Sequence, residues 1–315
     1  MHLQWHGPCC CLSVYLPLYC LRQKNSGFMS RGEIMNTKKK VKNGIYHILV
    51  FGFGLVMLYP LFWMFMSSFK ESSTIFTTAG QLIPEKFMIT NYINGWKGFA
   101  GISFSTFFKN SLFISVLATV GTLLSSALVA YGFSRCNFRG KKLLFGAMLA
   151  SMMLPGQILM VPQYLWYQKL GWVGNFIPLI VPFCFAIQGF FVYLMMNFIN
   201  GIPRDLDEAA KIDGCSYYGI FGRIILPLMT PAIITGGIFS FMWRWDDFMS
   251  ALLYINDAEK YPVSLALKLF ADPGSSSDYG AMFAMATLSL VPIVIIFFVF
   301  QRYLVDGIAT SGLKG

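Results

Sequence analysis

One cluster of acidic side chains lies between two apolar stretches and is the clearest candidate for a functional site. Asp205, Asp207 and Glu208 lie within five residues after Pro203. Proline suits a first helical turn, and carboxylates are stabilised there by the partial positive charge of the helix amino terminus. Gly214 then permits the backbone to leave right-handed geometry. The segment from about residue 203 to residue 227 is therefore predicted to form a helix-turn-helix elbow.

The predicted elbow offers a surface on which another protein could dock. Ala209 and Ala210 leave part of the first arm without bulk, as close docking requires. An ordinary interfacial helix in a loop between membrane spans would have a similar pattern, so both interpretations stay open on these grounds alone. The second arm is predicted from apolar residues at helical spacing, namely Tyr217, Ile220, Phe221, Ile224 and Ile225.

A second charged group, Arg244, Asp246 and Asp247, lies near the end of an apolar stretch. If that helix begins near Met229, Arg244 lies about 22 Å along it, at about 1.5 Å per residue. A lone charge at the membrane centre costs about 2.5–3.5 kcal/mol on insertion scales, so these side chains must face other helices or pair. They form either a polar wall of a translocation pathway or an outer-interface anchor with local salt bridges.

The other reactive residues form no recognisable catalytic or metal-binding group. The three histidines are His2, His6 and His47, and the seven cysteines lack metal-ligand spacing. The nearest glycine-lysine pair, at positions 140–141, is followed by another lysine where a phosphate-binding loop needs Ser or Thr. We therefore predict no catalytic residue, no metal and no cofactor in this chain, and we expect it not to be an enzyme.

Apolar stretches long enough to cross a bilayer must position both charged groups. The chain is 56% hydrophobic and 12% charged, against about 45–50% and about 25% in soluble domains. A spanning helix needs about 20 mostly apolar residues, and breaks in the third and fourth spans are predicted at Pro155, Pro162, Pro178 and Pro182. The sequence predicts an all-α membrane protein with six transmembrane helices, roughly at residues 43–69, 111–133, 143–168, 170–203, 224–243 and 279–301.

Basic residues predict the orientation of these spans. Short loops rich in Lys and Arg stay in the cytoplasm, and most of the 24 basic residues lie inside if the amino terminus is cytoplasmic. Both termini and the elbow are therefore predicted to be cytoplasmic. Topology and anionic inner-leaflet lipid together explain the net charge of +10. The charge gives no support to nucleic-acid binding.

The first 34 residues look unlike the rest of the chain. The apolar run at residues 8–21 contains two prolines, is too short to span and has no basic residue before it, so it fails as a signal peptide. A chain that opened at Met35 would have a basic run, residues 38–42, leading into the first span. Our hypothesis is that residues 1–34 are an over-called start or a disordered tail, and that residues 35–315 form a single transmembrane domain.

The spacing within the elbow resembles the signature of permease subunits of binding-protein-dependent ATP-binding-cassette (ABC) importers. Glu208-Ala209-Ala210, three residues, Gly214, nine residues and then residues 224–227 match it without departure. The resemblance implies that the elbow is a coupling helix that docks in a cleft of a separate ATPase subunit. ATP and Mg²⁺ would bind to that subunit and not to this chain. The implied contact residues are Glu208, Ala209, Ala210, Asp213, Gly214, Leu226 and Pro227.

Other segments resemble the carbohydrate branch of this superfamily, which includes the smaller permease of the maltose importer. They are residues 107–112, 153–157, 162–171, 301–307 and 312–315. This resemblance implies the type I importer permease fold in the bacterial cytoplasmic membrane. The implied partners are a second homologous permease in a heterodimer, two ATPase subunits and an extracytoplasmic sugar-binding protein. The tail at 302–315 is expected to reach the ATPase pair through Gly312, Lys314 and Gly315.

The fifth span departs from this branch at one position. The branch commonly has Trp-Asn-Asp-Phe where this chain has Trp245-Asp246-Asp247-Phe248. The tail and this region look closest to importers of plant-polysaccharide oligosaccharides, uronate-containing ones among them, but no residue identifies a particular sugar. The alternatives are a stand-alone secondary transporter or channel, which would need no partner, and an intramembrane enzyme, for which the sequence offers no nucleophile and base.

Overall fold

The computed structural model describes residues 37–99, 101–270 and 278–312, with side chains between residues 43 and 303. Those residues are helical, and they contain an isolated bridge between Phe99 and Ile102 but no named strand. Two compact units follow each other along the chain, the first ending at Met88 and the second beginning at Ile89. The predicted tail at residues 1–34 lies outside the described residues.

The first unit consists of a long apolar helix and a folded loop. Helix α1, Thr37–Ser67, contains the first predicted span, and no residue in its most apolar window is buried. In the loop, the ammonium group of Lys70 is buried and donates hydrogen bonds to the carbonyl oxygens of Thr78 and Gln81. A buried charge is tolerated because these carbonyls replace its water, and the loop is thereby held against the end of α1.

The second unit contains the rest of the helices. Two 3₁₀ segments, Val181–Phe185 and Ala258–Lys260, and one π-helical segment, Phe221–Ile225, lie among them. The α-helices are α2 (Thr90–Lys97), α3 (Phe104–Arg135), α4 (Lys141–Met152), α5 (Gly156–Lys169), α6 (Ile177–Ile180), α7 (Gly189–Gly201), α8 (Asp205–Ile212), α9 (Tyr217–Ile220), α10 (Leu226–Leu228), α11 (Thr230–Trp245), α12 (Phe248–Tyr254), α13 (Val263–Leu269) and α14 (Tyr279–Gly312).

Four to six of the described elements can cross a membrane by length and composition. Four have no bend of more than 40°: α1, α3, residues 177–201 and α14. The other two are bent pairs, α4 with α5 at 102° and residues 217–228 with α11 at 74°. All of them fall on the stretches that the sequence predicts. The first bend lies at Pro155, as predicted, whereas Pro162 lies inside α5 without a break.

Helices α4 and α5 differ from the expectation in one respect. Their prolines predict that the third span lines the interior of a bundle, because neighbours must satisfy the freed carbonyls. Neither helix has a buried residue in the described chain. The α4–α5 pair is therefore peripheral within this chain.

Helix α3 is the centre of the second unit and packs against α7 and α11. Small side chains let the backbones approach closely, which is the usual device where no water drives helices together. A Cβ at Gly236 of α11 would lie 3.2 Å from the Leu123 side chain of α3. The buried face of α3 includes Ser111, Ser115, Ala118, Thr119, Thr122, Ser126, Ala127 and Ala130.

The fourth span is interrupted, as its prolines predict. Between α6 and α7 the chain passes through a 3₁₀ turn and then Ala186, whose φ of 52° is left-handed. Ser125 of α3 satisfies part of the freed backbone, since its Oγ accepts from the Ala186 N–H at 3.0 Å, and its single proton is shared between the Gly121 carbonyl at 2.7 Å and the Phe183 carbonyl at 3.2 Å. An unwound segment inside a membrane needs such a partner.

The turn between α2 and α3 yields a test of packing. Gly98 and Gly101 both have a φ of 81°, but a Cβ at Gly98 would lie 1.8 Å from the Ile102 carbonyl oxygen, whereas Gly101 has no atom within 4 Å. Both alanine variants carry the left-handed penalty of about 1–2 kcal/mol. We expect Gly98→Ala to lose about 1–3 kcal/mol more through the clash. The unfolding midpoints of the two purified variants in detergent measure this, and equal midpoints would contradict the turn.

Candidate functional site

The first arm of the elbow is α8, and its end has the geometry that Gly214 predicts. Gly214 adopts a φ of 81°. Its N–H donates to the Lys211 carbonyl at 3.0 Å, and the Cys215 N–H donates to the Ala210 carbonyl at 2.9 Å. This pair of bonds is the Schellman arrangement, which satisfies the last carbonyls of a helix. The turn between the two arms is thus a defined structure and not a loose loop.

Helix α8 presents different residues to the protein and to the outside. Asp207 and Ala210, three positions apart and therefore on one helical face, are each only 6% exposed. Glu208, Ala209, Asp213 and Gly214 are exposed. The expectation that both alanines form a docking surface is therefore wrong for Ala210, which packs in the protein's own core.

The second arm begins with a capped turn and continues into a π-helical segment. The Ser216 hydroxyl accepts a hydrogen bond from the Gly219 N–H at 3.2 Å, which starts α9. Over the π segment, the Leu226 N–H reaches back to the Phe221 carbonyl. Proline at 227 has no N–H to donate, so it interrupts the regular α pattern at this place. Leu226 is partly buried against the core and Pro227 is exposed.

Two large apolar side chains stand out on the exposed side of the elbow. Ile212 is 87% exposed and Tyr218 is 85% exposed, on either side of the Gly214 turn. Neither residue is among the candidates predicted from the sequence. Ile212 could have been predicted to be exposed, because it does not lie on the helical face that contains Asp207 and Ala210. Together with the exposed carboxylates of Glu208 and Asp213, they form a mixed apolar and acidic surface.

An ion pair connects the elbow to the carboxyl-terminal end of α3. Arg135 Nε lies 2.8 Å from Asp207 Oδ2, and the two side chains are 5% and 9% exposed. The same guanidinium donates from Nη2 to the Ile202 carbonyl at 2.7 Å. This pair was not predicted from the sequence, which assigns Asp207 only to the helix amino terminus and assigns Arg135 no contact with the elbow. The feature of the sequence that could have indicated Arg135 is its position at the end of a long apolar stretch.

Aromatic contacts fasten the second arm to α3 as well. The Tyr131 hydroxyl donates to the Tyr217 carbonyl at 3.1 Å, and the Tyr131 and Phe221 ring centroids are 5.1 Å apart. Lys211 Nζ lies 5.4 Å from the centroid of the Tyr217 ring, so a cation–π contact spans the turn. Both arms are therefore held in place by groups outside the turn itself.

The second charged group lies at the far end of α11 and is not brought together with the elbow. Arg244 Nη1 lies 3.4 Å from Asp247 Oδ2, and its guanidinium lies 4.0 Å from the Phe183 ring centroid. Asp247 Oδ1 also accepts from the Ser250 N–H at 3.1 Å and so caps α12. Asp246 is exposed. Arg244 and Asp247 thus form a local ion pair, which both the pathway alternative and the anchor alternative would accommodate.

The predicted contact residues of the carboxyl-terminal tail lie at or beyond the end of the described residues. Gly312 is the last residue of α14, and Lys314 and Gly315 lie outside the described residues. Over the described parts of the chain, no group of three or more His, Cys, Asp or Glu residues is placed to hold a metal ion.

Comparison with curated proteins identifies similar chains of nearly the same length. The chain is 35% identical to the probable ABC transporter permease protein YurM of Bacillus subtilis, over 85% of this chain and 87% of the relative. It is 31% identical to the trehalose/maltose transport system permease protein MalG of Thermococcus litoralis, over 83% of this chain and 93% of the relative.

A solved structure has the same fold. A chain of a bacterial ABC transporter involved in the import of the acidic polysaccharide alginate superposes with a TM-score of 0.74 at 23% identity. The match covers 86% of this chain and 99% of that one. The expected fold of an ABC importer permease is thus confirmed.

A family model locates the relationship within the chain. Residues 123–310 match the model described as the inner membrane component of binding-protein-dependent transport systems. This region includes the whole elbow and the last four predicted spans. The chain therefore belongs to the inner-membrane components of binding-protein-dependent transport systems, the permease proteins of ABC transporters.

Proposed function

We propose that this chain is one of two permease subunits of an ATP-driven sugar importer, and that the elbow couples it to a separate ATPase. The observation that carries the proposal is the division of α8 into two faces. Asp207 and Ala210 anchor the helix to the protein, and Glu208, Ala209 and Asp213 point away from it. An exposed surface on a firmly anchored helix is what a mechanical contact with another protein requires.

Sugar as the substrate class is supported by the names of similar proteins. One relative is a trehalose/maltose transport system permease, and the solved structure is of a transporter that imports alginate. Both substrates are carbohydrates, one neutral and one acidic. The proposal extends to oligosaccharides, and no described residue of this chain decides between neutral and acidic ones.

The proposed assembly places this chain beside a second homologous permease, with two ATPase subunits inside and an extracytoplasmic binding protein outside. ATP and Mg²⁺ bind to the ATPase subunits, and this chain holds no cofactor. The six predicted stretches cross the membrane with both termini in the cytoplasm, and each bent pair counts as one span. The tail around Gly312, Lys314 and Gly315 is a further contact with the ATPase pair.

The mechanism follows from these positions. The binding protein delivers sugar at the outer side, and closure of the ATPase pair around ATP displaces the elbow inside. That displacement changes which side of the membrane the pathway opens to. Leu226 and Pro227 lie where the second arm leads into α11, so they belong to the moving part. A stand-alone secondary transporter or channel is the alternative, and it needs neither ATP nor an ATPase.

Bulk added to the exposed face of the elbow tests the coupling. We expect Ala209→Phe and Gly214→Val each to lower ATP-driven sugar uptake at least about tenfold, within the usual range of coupling energies. Ala209→Ser is the matched control, because serine adds little bulk. Gly214→Asn adds bulk similar to that of valine but tolerates a left-handed φ, so it should lower uptake as Gly214→Val does if bulk and not backbone strain is the cause. Uptake and ATP hydrolysis are measured in proteoliposomes with the full assembly.

The same experiment separates the alternatives. Wild-type uptake by both bulky variants would remove the elbow as the coupling device. Uptake by the purified chain alone, without ATP or ATPase, would favour the secondary transporter or channel.

Cysteine labelling tests the proposed topology. In a variant without the seven native cysteines, Arg139→Cys is expected to react with an impermeant maleimide only after the cells are opened, because short basic loops stay inside. Glu85→Cys and Asp257→Cys should react in intact cells. All three positions are exposed. Labelling of position 139 in intact cells would reverse the orientation.

Arg244, Asp246 and Asp247 are proposed to line the translocation pathway. Arg244 and Asp247 hold the turn between α11 and α12, which leaves the exposed Asp246 as the group free to meet sugar. We expect Asp246→Asn to raise the KM for uptake about tenfold, since a hydrogen bond to a charged group contributes about 1.5–3 kcal/mol. Asp257→Asn, also exposed, is the control. A KM equal to that of the wild type would exclude Asp246 from the pathway.

A further inference from the structure

The contacts between the elbow and α3 bear on how motion of the elbow would reach the membrane helices. We infer that the elbow and the carboxyl-terminal end of α3 form one rigid body, clamped by Arg135 and Tyr131, so that ATP-driven displacement of the elbow enters the membrane through α3. This inference rests on the proposed coupling function, because it names the element that receives the motion. Arg135 and Tyr131 are positioning residues in it.

The first clamp is the buried ion pair. Arg135 contacts Asp207 in the middle of the first arm and the carbonyl of Ile202 just before it. One rigid guanidinium thereby fixes two points of the elbow, which a flexible ammonium could not do with the same geometry. Separation of the pair would leave two buried charges without a counter-charge, which is strongly unfavourable. The contact therefore resists any sliding of α8 along α3.

The second clamp lies one helical turn earlier on α3. Tyr131 and Arg135 are four residues apart and so project from the same face. The Tyr131 hydroxyl bonds to the carbonyl of Tyr217, at the start of the second arm, and its ring packs on Phe221. In a further, longer contact the elbow side is the donor: Arg204 Nη2 donates to the Ser134 carbonyl of α3 at 3.5 Å. Both arms are thus tied to one stretch of α3.

Packing between the clamps is continuous. Ala127, Ala130 and Tyr131 of α3 share one buried cluster with Ala210 of the first arm and with Ile220 and Ile225 of the second. Small side chains on α3 and α8 let the backbones lie close together. Interiors packed in this way transmit displacement and do not absorb it.

The direct route from the elbow into α11 is softer. The second arm runs through the π-helical segment and then bends by 74° before α11 begins at Thr230. π segments and bends are places where a helix changes direction or register. A push on the elbow along this route would change the bend, whereas α3 continues without interruption from Arg135 to Phe104.

A cross-link tests the rigid body while the Arg135 and Tyr131 clamps stay intact. In the cysteine-free variant, Ser134→Cys and Arg204→Cys are joined by a short bifunctional thiol reagent, and mass spectrometry of the purified chain measures the yield. If the two elements move together, the cross-linked assembly keeps ATP-driven uptake at the level of the singly substituted controls. Loss of uptake that cleavage of the reagent restores would overturn the inference, because it would show that the elbow moves relative to α3.

Charge substitution tests the clamp from the opposite direction. We expect Arg135→Gln and Asp207→Asn to lower the sugar transported per ATP hydrolysed at least about tenfold. The exchange Arg135→Asp with Asp207→Arg should restore part of that ratio, because the ion pair is present again. Arg139→Gln and Asp205→Asn, which remove exposed charges from the same two segments, should keep the wild-type ratio.

The outcomes distinguish the two levels of the proposal. Single variants that keep the wild-type ratio would show that the ion pair only stabilises the fold, while the coupling function would stand on the Ala209 and Gly214 variants. If those surface variants also transport normally, the coupling function itself fails. Where a single charge variant does not accumulate in membranes, the cross-linked protein, which retains both charges, still decides the inference.

Discussion

A bilayer offers no water to backbone or charged groups, and this constraint accounts for most of the polar contacts described above. Ser125 satisfies part of the backbone that the interruption of the fourth span sets free. Phe183 and Asp247 enclose the guanidinium of Arg244 at the end of α11. These two polar groups inside the apolar body thus have specific partners, and each partner fixes the position of a neighbouring element.

The same requirement shapes the elbow, although the elbow lies between spans. Burial of Asp207 beneath α8 is possible only because Arg135 arrives from α3 at the same place. Once that pair has formed, the 3.6-residue period of the helix determines that Ala210 faces inward and that Glu208 and Ala209 face outward. The arrangement of the exposed surface is therefore a consequence of a contact on the opposite side of the helix.

Local features of this structure could be predicted from the sequence, and long-range ones could not. Charge-free stretches gave the spans, Pro155 gave a break, and Gly214 gave the turn, because each depends on the conformational preference of a few adjacent residues. The burial of Ala210 and the pairing of Arg135 with Asp207 depend on residues far apart in the chain. The π-helical segment was missed as well, since Tyr217 to Ile225 has apolar spacing that an ordinary α-helix would also satisfy.

The two-sided character of α8 has a consequence for how such proteins diversify. Residues that attach the helix to its own chain, Asp207 and Ala210, are separate from those that face outward, Glu208, Ala209 and Asp213. Substitutions on the outward side can therefore accumulate without loss of the native fold. Under the proposed coupling function, a permease of this kind can acquire a different partner at the elbow by changing a few surface positions, and its membrane body needs no redesign to accept it.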